Sequence, residues 1–351
     1  MVRVTASLFC YPASKQVGWA GILPISHSVE TNSMNRKQNI PLLAAIAGLL
    51  LVSPCLLHAD YRSEKTLKLD PGGRFVLDAS PGSVNITGKS EPGASIVVTS
   101  NRDDLEQLLE LRFEESAGEV RVTARQRHSY DWPKRAWVHF EVRVPADTRT
   151  EVKTSGGSVG ISGLHGDAKL STSGGSIKVS DLSANLQAGS SGGSIHVEEI
   201  KGNVEVDTSG GSIDGDSVTG RLEARTSGGS IRLERVGGDL LAHTSGGSIR
   251  IEDAGGRVDA KTSGGSVDVA FAKDNAHGGE LETSGGGVTV RLDRSANLNL
   301  EASASAGSVS SDLPIQVVGT LSKSHLSGTI GSGGETLRLH SDGGPVRIEA
   351  R

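Results

Sequence analysis

Aromatic and sulfur-bearing side chains are scarce in this chain. Three Trp, three Tyr and five Phe among 351 residues cannot fill a thick globular core, which draws much of its buried area from large side chains. The only cysteines, Cys10 and Cys55, both precede residue 60. If the chain is cut after Ala59, as argued below, the remainder has no thiol, and disulfide and redox chemistry drop out. An excess of basic charge is also missing. The formal net charge is −5, and removing residues 1–59 leaves 32 basic against 40 acidic side chains. That balance argues against nucleic acid as a partner.

What the chain does have is glycine, 47 residues of it, and a phrase that returns. Thr-Ser-Gly-Gly-Ser-Val/Ile begins at Thr154, Thr172, Ser190, Thr208, Thr226, Thr244 and Thr262, each copy 18 residues after the last, and an eighth copy begins at Thr283 after 21. A fixed period of this length marks a solenoid whose coils stack on their neighbours.

Within a repeat, apolar residues alternate with polar ones on either side of the glycines. Ile177, Val179, Leu182, Leu186 and Ala188 form one inward set, repeated as Ile195, Val197, Ile200, Val204 and Val206 and again as Ile249, Ile251, Ala254, Val258 and Ala260. Period-two alternation bounded by glycine reads as strand, turn, strand, turn. The fold class expected is therefore all-β: a single-stranded parallel β-helix, or β-solenoid, of about 18 residues per coil, with an irregular N-terminal capping region. The Gly-Gly pairs are expected to turn the chain at positive φ, with Ser and Thr bonding the turn backbone. Gly215 falls on the inward column. It reads either as a missing core side chain or as a bulge with positive φ.

The ends of the chain divide it further. Residues 1–33 show no periodicity and read as an overextended reading frame ahead of Met34. Residues 34–59 join Arg36 and Lys37 to an apolar run closed by Ala59, the pattern of a secretory signal peptide. Contact with a membrane is expected only through this segment or through lipidation of Cys55, which Pro54 disfavours. Residues 60–150 read as degenerate N-terminal coils and cap, with a short helix after Asp104 and a hairpin around Gly118. Residues 151–351 read as the regular β-solenoid, and Pro345 with the alternating charges of 346–350 is expected to close it as a poor edge. Phe75, Phe113, Tyr130, Trp132, Trp137 and Phe140 all lie in the lead-in. They suit a cap over the first coil, the alternative being that Tyr130 and Trp132 are exposed ligand contacts.

The run Val142-Arg143-Val144-Pro145-Ala146-Asp147, followed by Lys153-Thr154-Ser155-Gly156-Gly157-Ser158-Val159, resembles the bacterial putative adhesin family of unknown function. The likeness spans roughly residues 65–350. It implies a secreted or envelope-attached β-solenoid and carries no catalytic residues with it. Gly-Gly-Ser at nearly every corner departs from relatives that carry a single Gly.

Other motifs weigh less. Gly156 to Gly160 and Gly189 to Gly193 match a Gly-x-Ser-x-Gly nucleophile elbow, but that motif needs a strand-to-helix turn and here falls out of a repeated corner. Asp214 and Asp216 are a weak calcium cue. The histidines show no metal-ligand spacing, and no cofactor or metal is expected. One outward column, Glu198, Asp216, Glu234 and Glu252, would stack acid upon acid unless Arg232 and Arg250 lean across, and is a candidate ligand face. The function expected is a secreted or envelope-associated binding or structural module, a putative adhesin and not an enzyme, whose partner is an envelope, glycan or protein molecule. It would sit in the periplasm, outer envelope or extracellular space. The alternatives are a polysaccharide-active β-helix enzyme, for which the only sizeable insertion is 271–279, and a self-stacking envelope-stress component.

Overall fold

The computed structural model describes residues 61–351 except 129–131, 274, 276 and 319–321. The segment read as a signal peptide, both cysteines, Tyr130 and Asp274 thus lie outside the described residues. The lead-in contains β1 (Tyr61–Leu67), β2 (Arg74–Ala79), β3 (Ser83–Lys89), β4 (Ala94–Ser100), a single helical turn α1 (Leu105–Leu108), β5 (Leu109–Ser116), β6 (Glu119–Gln126) and β7 (Val138–Pro145). The ladder then runs through paired strands. These are β8 (Arg149–Thr154) with β9 (Val159–Leu164), β10 (Ala168–Thr172) with β11 (Ile177–Leu182), β12 (Leu186–Ser190) with β13 (Ile195–Ile200), and β14 (Val204–Thr208) with β15 (Ile213–Val218). They continue as β16 (Leu222–Thr226) with β17 (Ile231–Val236), β18 (Leu240–Thr244) with β19 (Ile249–Ala254), β20 (Val258–Thr262) with β21 (Val267–Phe271), and β22 (Gly279–Thr283) with β23 (Val288–Leu292). The tail holds β24 (Leu298–Ala304), β25 (Val309–Ser311), β26 (Gln316–Val317), β27 (His325–Ile330), β28 (Thr336–Ser341) and β29 (Val346–Ala350).

Each repeat gives one strand to each of two sheets. The even strands from β8 to β22 pair in parallel in one sheet, and the odd strands from β9 to β23 in the other. The register is one coil per repeat: Leu186 lies against Val204, and Ile195 against Ile213. The inward sets read from the sequence are buried throughout, Ile177, Val179, Leu182, Leu186 and Ala188 each being at most 2% exposed. The β-solenoid is therefore the observed fold, flattened into two facing sheets with the thin core between them.

The corners work differently from the expectation. No glycine of the repeated phrase from Gly156 to Gly286 has positive φ. Left-handed backbone appears at the opposite end of the second strand, at Gly163 and then at Asp181, Glu199, Ser217, Arg235 and Asp253, with φ between 50° and 67°. This is the residue that breaks the alternation between Val179 and Leu182, and left-handed geometry at a non-glycine residue costs about 1–2 kcal/mol. The second glycine of the phrase is needed for space. A Cβ on Gly229 would lie 2.0 Å from the carbonyl oxygen of Gly211 in the preceding coil, whereas one on Gly228 would meet nothing closer than 3.5 Å.

That close approach is bridged by a hydroxyl ladder. The residue that opens each phrase is buried and donates its hydroxyl to the second-glycine carbonyl of the coil below, from Thr154 to Gly82 and Thr172 to Gly157, through Thr226 to Gly211, to Ser341 on Gly286, at 2.6–2.9 Å. The same oxygen accepts the N–H of its own second glycine, as Thr226 does from Gly229 at 3.3 Å. Two further ladders run beside it. Ser248 N–H reaches the Ser230 hydroxyl at 3.2 Å, and at the far corner Asn203 N–H reaches the Asn185 side chain at 3.0 Å.

Both ends of the stack depart from chain order. The β2–β3 coil lies between β6–β7 and β8–β9, and the last coil, β28–β29, lies between β22–β23 and β24–β25. The strand after Pro345 is therefore internal, paired on both sides, which corrects its reading as a closing edge. Antiparallel strands finish three of the four sheet ends instead, β4 then β1 and β5 at one end of the stack and β27 then β26 at the other, where the second sheet stops on the parallel β25. The lead-in aromatics Phe75 and Phe140 are fully buried in this region.

Gly215 is in register, opposite Val197 and Leu233, and has no positive φ. Its column has no gap, however, because a Cβ there would sit 2.8 Å from Leu233 Cδ2 and 3.3 Å from Val197 Cγ2. The neighbours have closed in. Gly215→Val should overpack the core and lower stability by about 1–3 kcal/mol. A rise in melting temperature would show that an unfilled space remains.

The corner gives a sharper contrast. Gly229→Ala should cost about 1–3 kcal/mol by forcing backbone against backbone, and Gly228→Ala should be neutral or stabilise by up to about 1 kcal/mol through lost unfolded-state freedom. Equilibrium urea denaturation of the two variants checks this. Equal effects would contradict it.

Candidate ligand-contact faces

The acidic column is real in space. Glu198, Asp216, Glu234 and Glu252 are successive partners on the outer face of the odd-strand sheet. It is not an open row of carboxylates. Arg235 pairs with both Asp216 and Glu234, Arg250 and Arg291 reach Glu252 at 3.0 and 3.6 Å, and His196 stands 3.7 Å from Glu198. Arg250 leans across as expected, but the cation in the middle is Arg235 in place of Arg232. Arg235 occupies the left-handed position. The break in alternation at residue 235 was the available signal. Among the described residues, no group of three or more His, Cys, Asp or Glu side chains is placed to hold a metal.

Trp132 is half-buried against the core and donates its indole N–H to the Ala136 carbonyl at 3.1 Å. That placement suits a cap. Trp137, grouped with the cap aromatics in the sequence and not with the candidate contacts, is the large exposed aromatic among the described residues, at 48%. The serines of the two elbow-like matches, Ser158 and Ser191, sit at corners that lead into strands β9 and β13. The insertion at 271–279 is drawn down onto the stack by Asn275, whose amide donates to the carbonyls of Ala254 and Gly256 at 2.6 and 3.1 Å.

One side-chain chain resembles a catalytic relay. Ser303 Oγ is 2.8 Å from His340 Nδ1, and His340 Nε2 is 3.1 Å from Asp342. Acyl transfer also needs free backbone donors beside the serine. The N–H groups of Ala304 and Ser305 are both already donated, to Ser324 and Ser341.

One concave feature was not legible in the sequence. A groove of about 740 Å³ runs along the outer face of the even-strand sheet from Ser171 on β10 to Glu282 on β22. One wall is the exposed second residue of each phrase, Ser191, Ser209, Ser227, Ser245 and Ser263. The floor is the half-buried column Asp207, Arg225, His243, Lys261 and Glu282. Arg225 pairs with Glu223, Lys261 with Glu280 and Glu282 at 2.8 and 3.4 Å, and His243 lies 3.5 Å from Asp259. The hydrogen bond to Glu280 raises the Lys261 ammonium above its ordinary value and holds the Glu280 carboxyl below its own. Asp207 differs, because partial burial pushes its carboxyl up against the opposing pull of Arg225, with Glu205 adding to the rise.

These features define a β-solenoid repeat protein with continuous lateral faces. Residues 239–349 match the Toastrack DUF4097 family, a family of unknown function, and the family resemblance read from the lead-in and first coil is thereby met in the later coils. No curated protein matches. Among solved structures, the chain is similar to a putative cell adhesion protein from Clostridium sporogenes, at 12% identity over 83% of this chain and 100% of that one, with a TM-score of 0.23. It is similar also to a putative lipid binding protein from Parabacteroides distasonis, at 13% identity over 83% and 96% and a TM-score of 0.38. A putative adhesin from Bacteroides fragilis stands at 12% over 83% and 97%, with a TM-score of 0.31. Scores this low carry no functional argument.

Proposed function

We propose that the chain is an exported binding module of the cell envelope or exterior, adhesin-like in kind, that works by presenting lateral faces to a partner and not by catalysis. The observation that carries this is the groove on the even-strand sheet, where one outward position repeats from coil to coil over seven strands. A surface built by repetition suits a long partner that offers the same contact many times. Export rests on the signal-like pattern of residues 34–59. Among the described residues, no helix is long and apolar enough to cross a membrane.

Two other readings fit less well. A polysaccharide-active enzyme would need loops that gather acids over a cleft, and here the insertion is pinned flat by Asn275 while the Ser303 relay lacks free backbone donors beside it. Self-stacking would need matched open edges. One end of the stack offers β1 and β5, of 7 and 8 residues, and the other only β25 and β26, of 3 and 2.

The purified chain should sediment with an isolated cell-envelope fraction and leave the length of its polymers unchanged. Release of shortened products at a catalytic rate, or no retention by any envelope or extracellular fraction, would overturn this reading.

A further inference from the structure

We infer that the groove on the even-strand sheet is a site for an extended, uncharged polyhydroxylated chain, a linear glycan, lying along the solenoid axis. The inference rests on the binding-module reading above and gives it a ligand class.

The groove spans seven successive strands, β10 to β22, or about 30 Å at the spacing of neighbouring strands. It offers something to hydrogen-bond at every step. The wall hydroxyls of Ser191, Ser209, Ser227, Ser245 and Ser263 make no hydrogen bond within the chain among the described residues. Each is both a donor and an acceptor. On the floor, the Asp207 carboxylate makes no ion pair among the described residues, while Arg225 is held by Glu223 and Lys261 by Glu280 and Glu282.

This mixture of signs selects the ligand by exclusion. A polyanion would meet Asp207 at one end and Glu282 at the other, and a polycation would meet Arg225 and Lys261 in the middle. An apolar segment would bury hydroxyls and charges without partners, which is unfavourable for each of them. A peptide strand usually docks by adding to a sheet edge, but the floor is a sheet face whose backbone is already paired within the ladder. A chain of hydroxyls can match the wall serines from coil to coil, each of which both donates and accepts, and tolerates the mixed charges of the floor. Asp207 adds a specific reason, because its carboxyl is partly desolvated and makes no ion pair among the described residues, so ligand hydroxyls would supply hydrogen bonds to it.

The groove has no Trp, Tyr or Phe to stack against a sugar ring. Each sugar is therefore held by weak polar contacts alone, and affinity must accumulate along the chain. Dependence on ligand length is the signature.

Calorimetric titration of the chain with linear gluco- and N-acetylgluco-oligosaccharides of increasing length tests this, with an oligogalacturonate as the anionic comparator. Affinity for at least one neutral series should rise with length and level off once the groove is spanned. Ser227→Gln and Ser245→Gln, at exposed corner positions that leave the fold intact by melting temperature, should each weaken binding by about ten-fold, and Asp207→Ala should weaken it as well. Lys178→Ala, on the outer face of the other sheet, should leave it unchanged. No binding of any neutral oligomer, affinity independent of length, tighter binding of the oligogalacturonate, or indifference to the serine variants would overturn the inference. Retention of the chain by envelope material in any of those cases would leave the binding-module reading standing, and loss of that retention would remove both.

Discussion

Everything in this structure depends on how closely one coil can approach the next at the repeated corner. Without a Cβ at the second glycine, the backbone of one coil rests on the carbonyl of the coil below, and a buried Thr or Ser hydroxyl accepts the N–H of that glycine while donating to the same carbonyl. A buried carbonyl left without a partner would cost about 1–3 kcal/mol, so the hydroxyl column and the glycine column are one device. It sets the register, and the register stacks Ile on Ile and Val on Val in a thin core whose only ring within the ladder strands is Phe271, among the described residues. The shortage of aromatics and the abundance of glycine are two consequences of the same geometry.

Much of the fold was legible because it is periodic. The spacing of the phrase identified the coil, and the inward residues followed from alternation with one skipped position. That skip at Asp181, Glu199, Ser217, Arg235 and Asp253 marks the left-handed residue, but the residue types hide it, since Glu199, Ser217 and Arg235 are not among the residues enriched in such a backbone. The role given to the phrase glycines was mistaken for a related reason. Glycine permits both positive φ and close approach, and sequence alone does not separate them. Gly215 repeats the lesson in the core, where Leu233 leans into the space that the register left open.

What the sequence could not show is set by distance along the chain and by side-chain length. Pairing of Thr283 with Ser341 brings a coil from the end of the chain into the interior of the stack, and no local pattern announces it. The acidic column was readable as a column, yet its neutralisation by Arg235 depends on a backbone bend. The groove was not readable, because the depth of a sheet face depends on how neighbouring side chains lie across coils, and the repeat gives only their positions.

The most direct test of the corner device is the stability of Thr226→Val and Thr226→Ser, measured by equilibrium denaturation. Valine keeps the shape and removes the hydroxyl, leaving the Gly211 carbonyl and the Gly229 N–H without a side-chain partner. It should therefore cost about 1–3 kcal/mol. Serine, which already holds this column at Ser190 and Ser341, should cost clearly less. A Thr226→Val chain as stable as the wild type, or less destabilised than Thr226→Ser, would contradict the account.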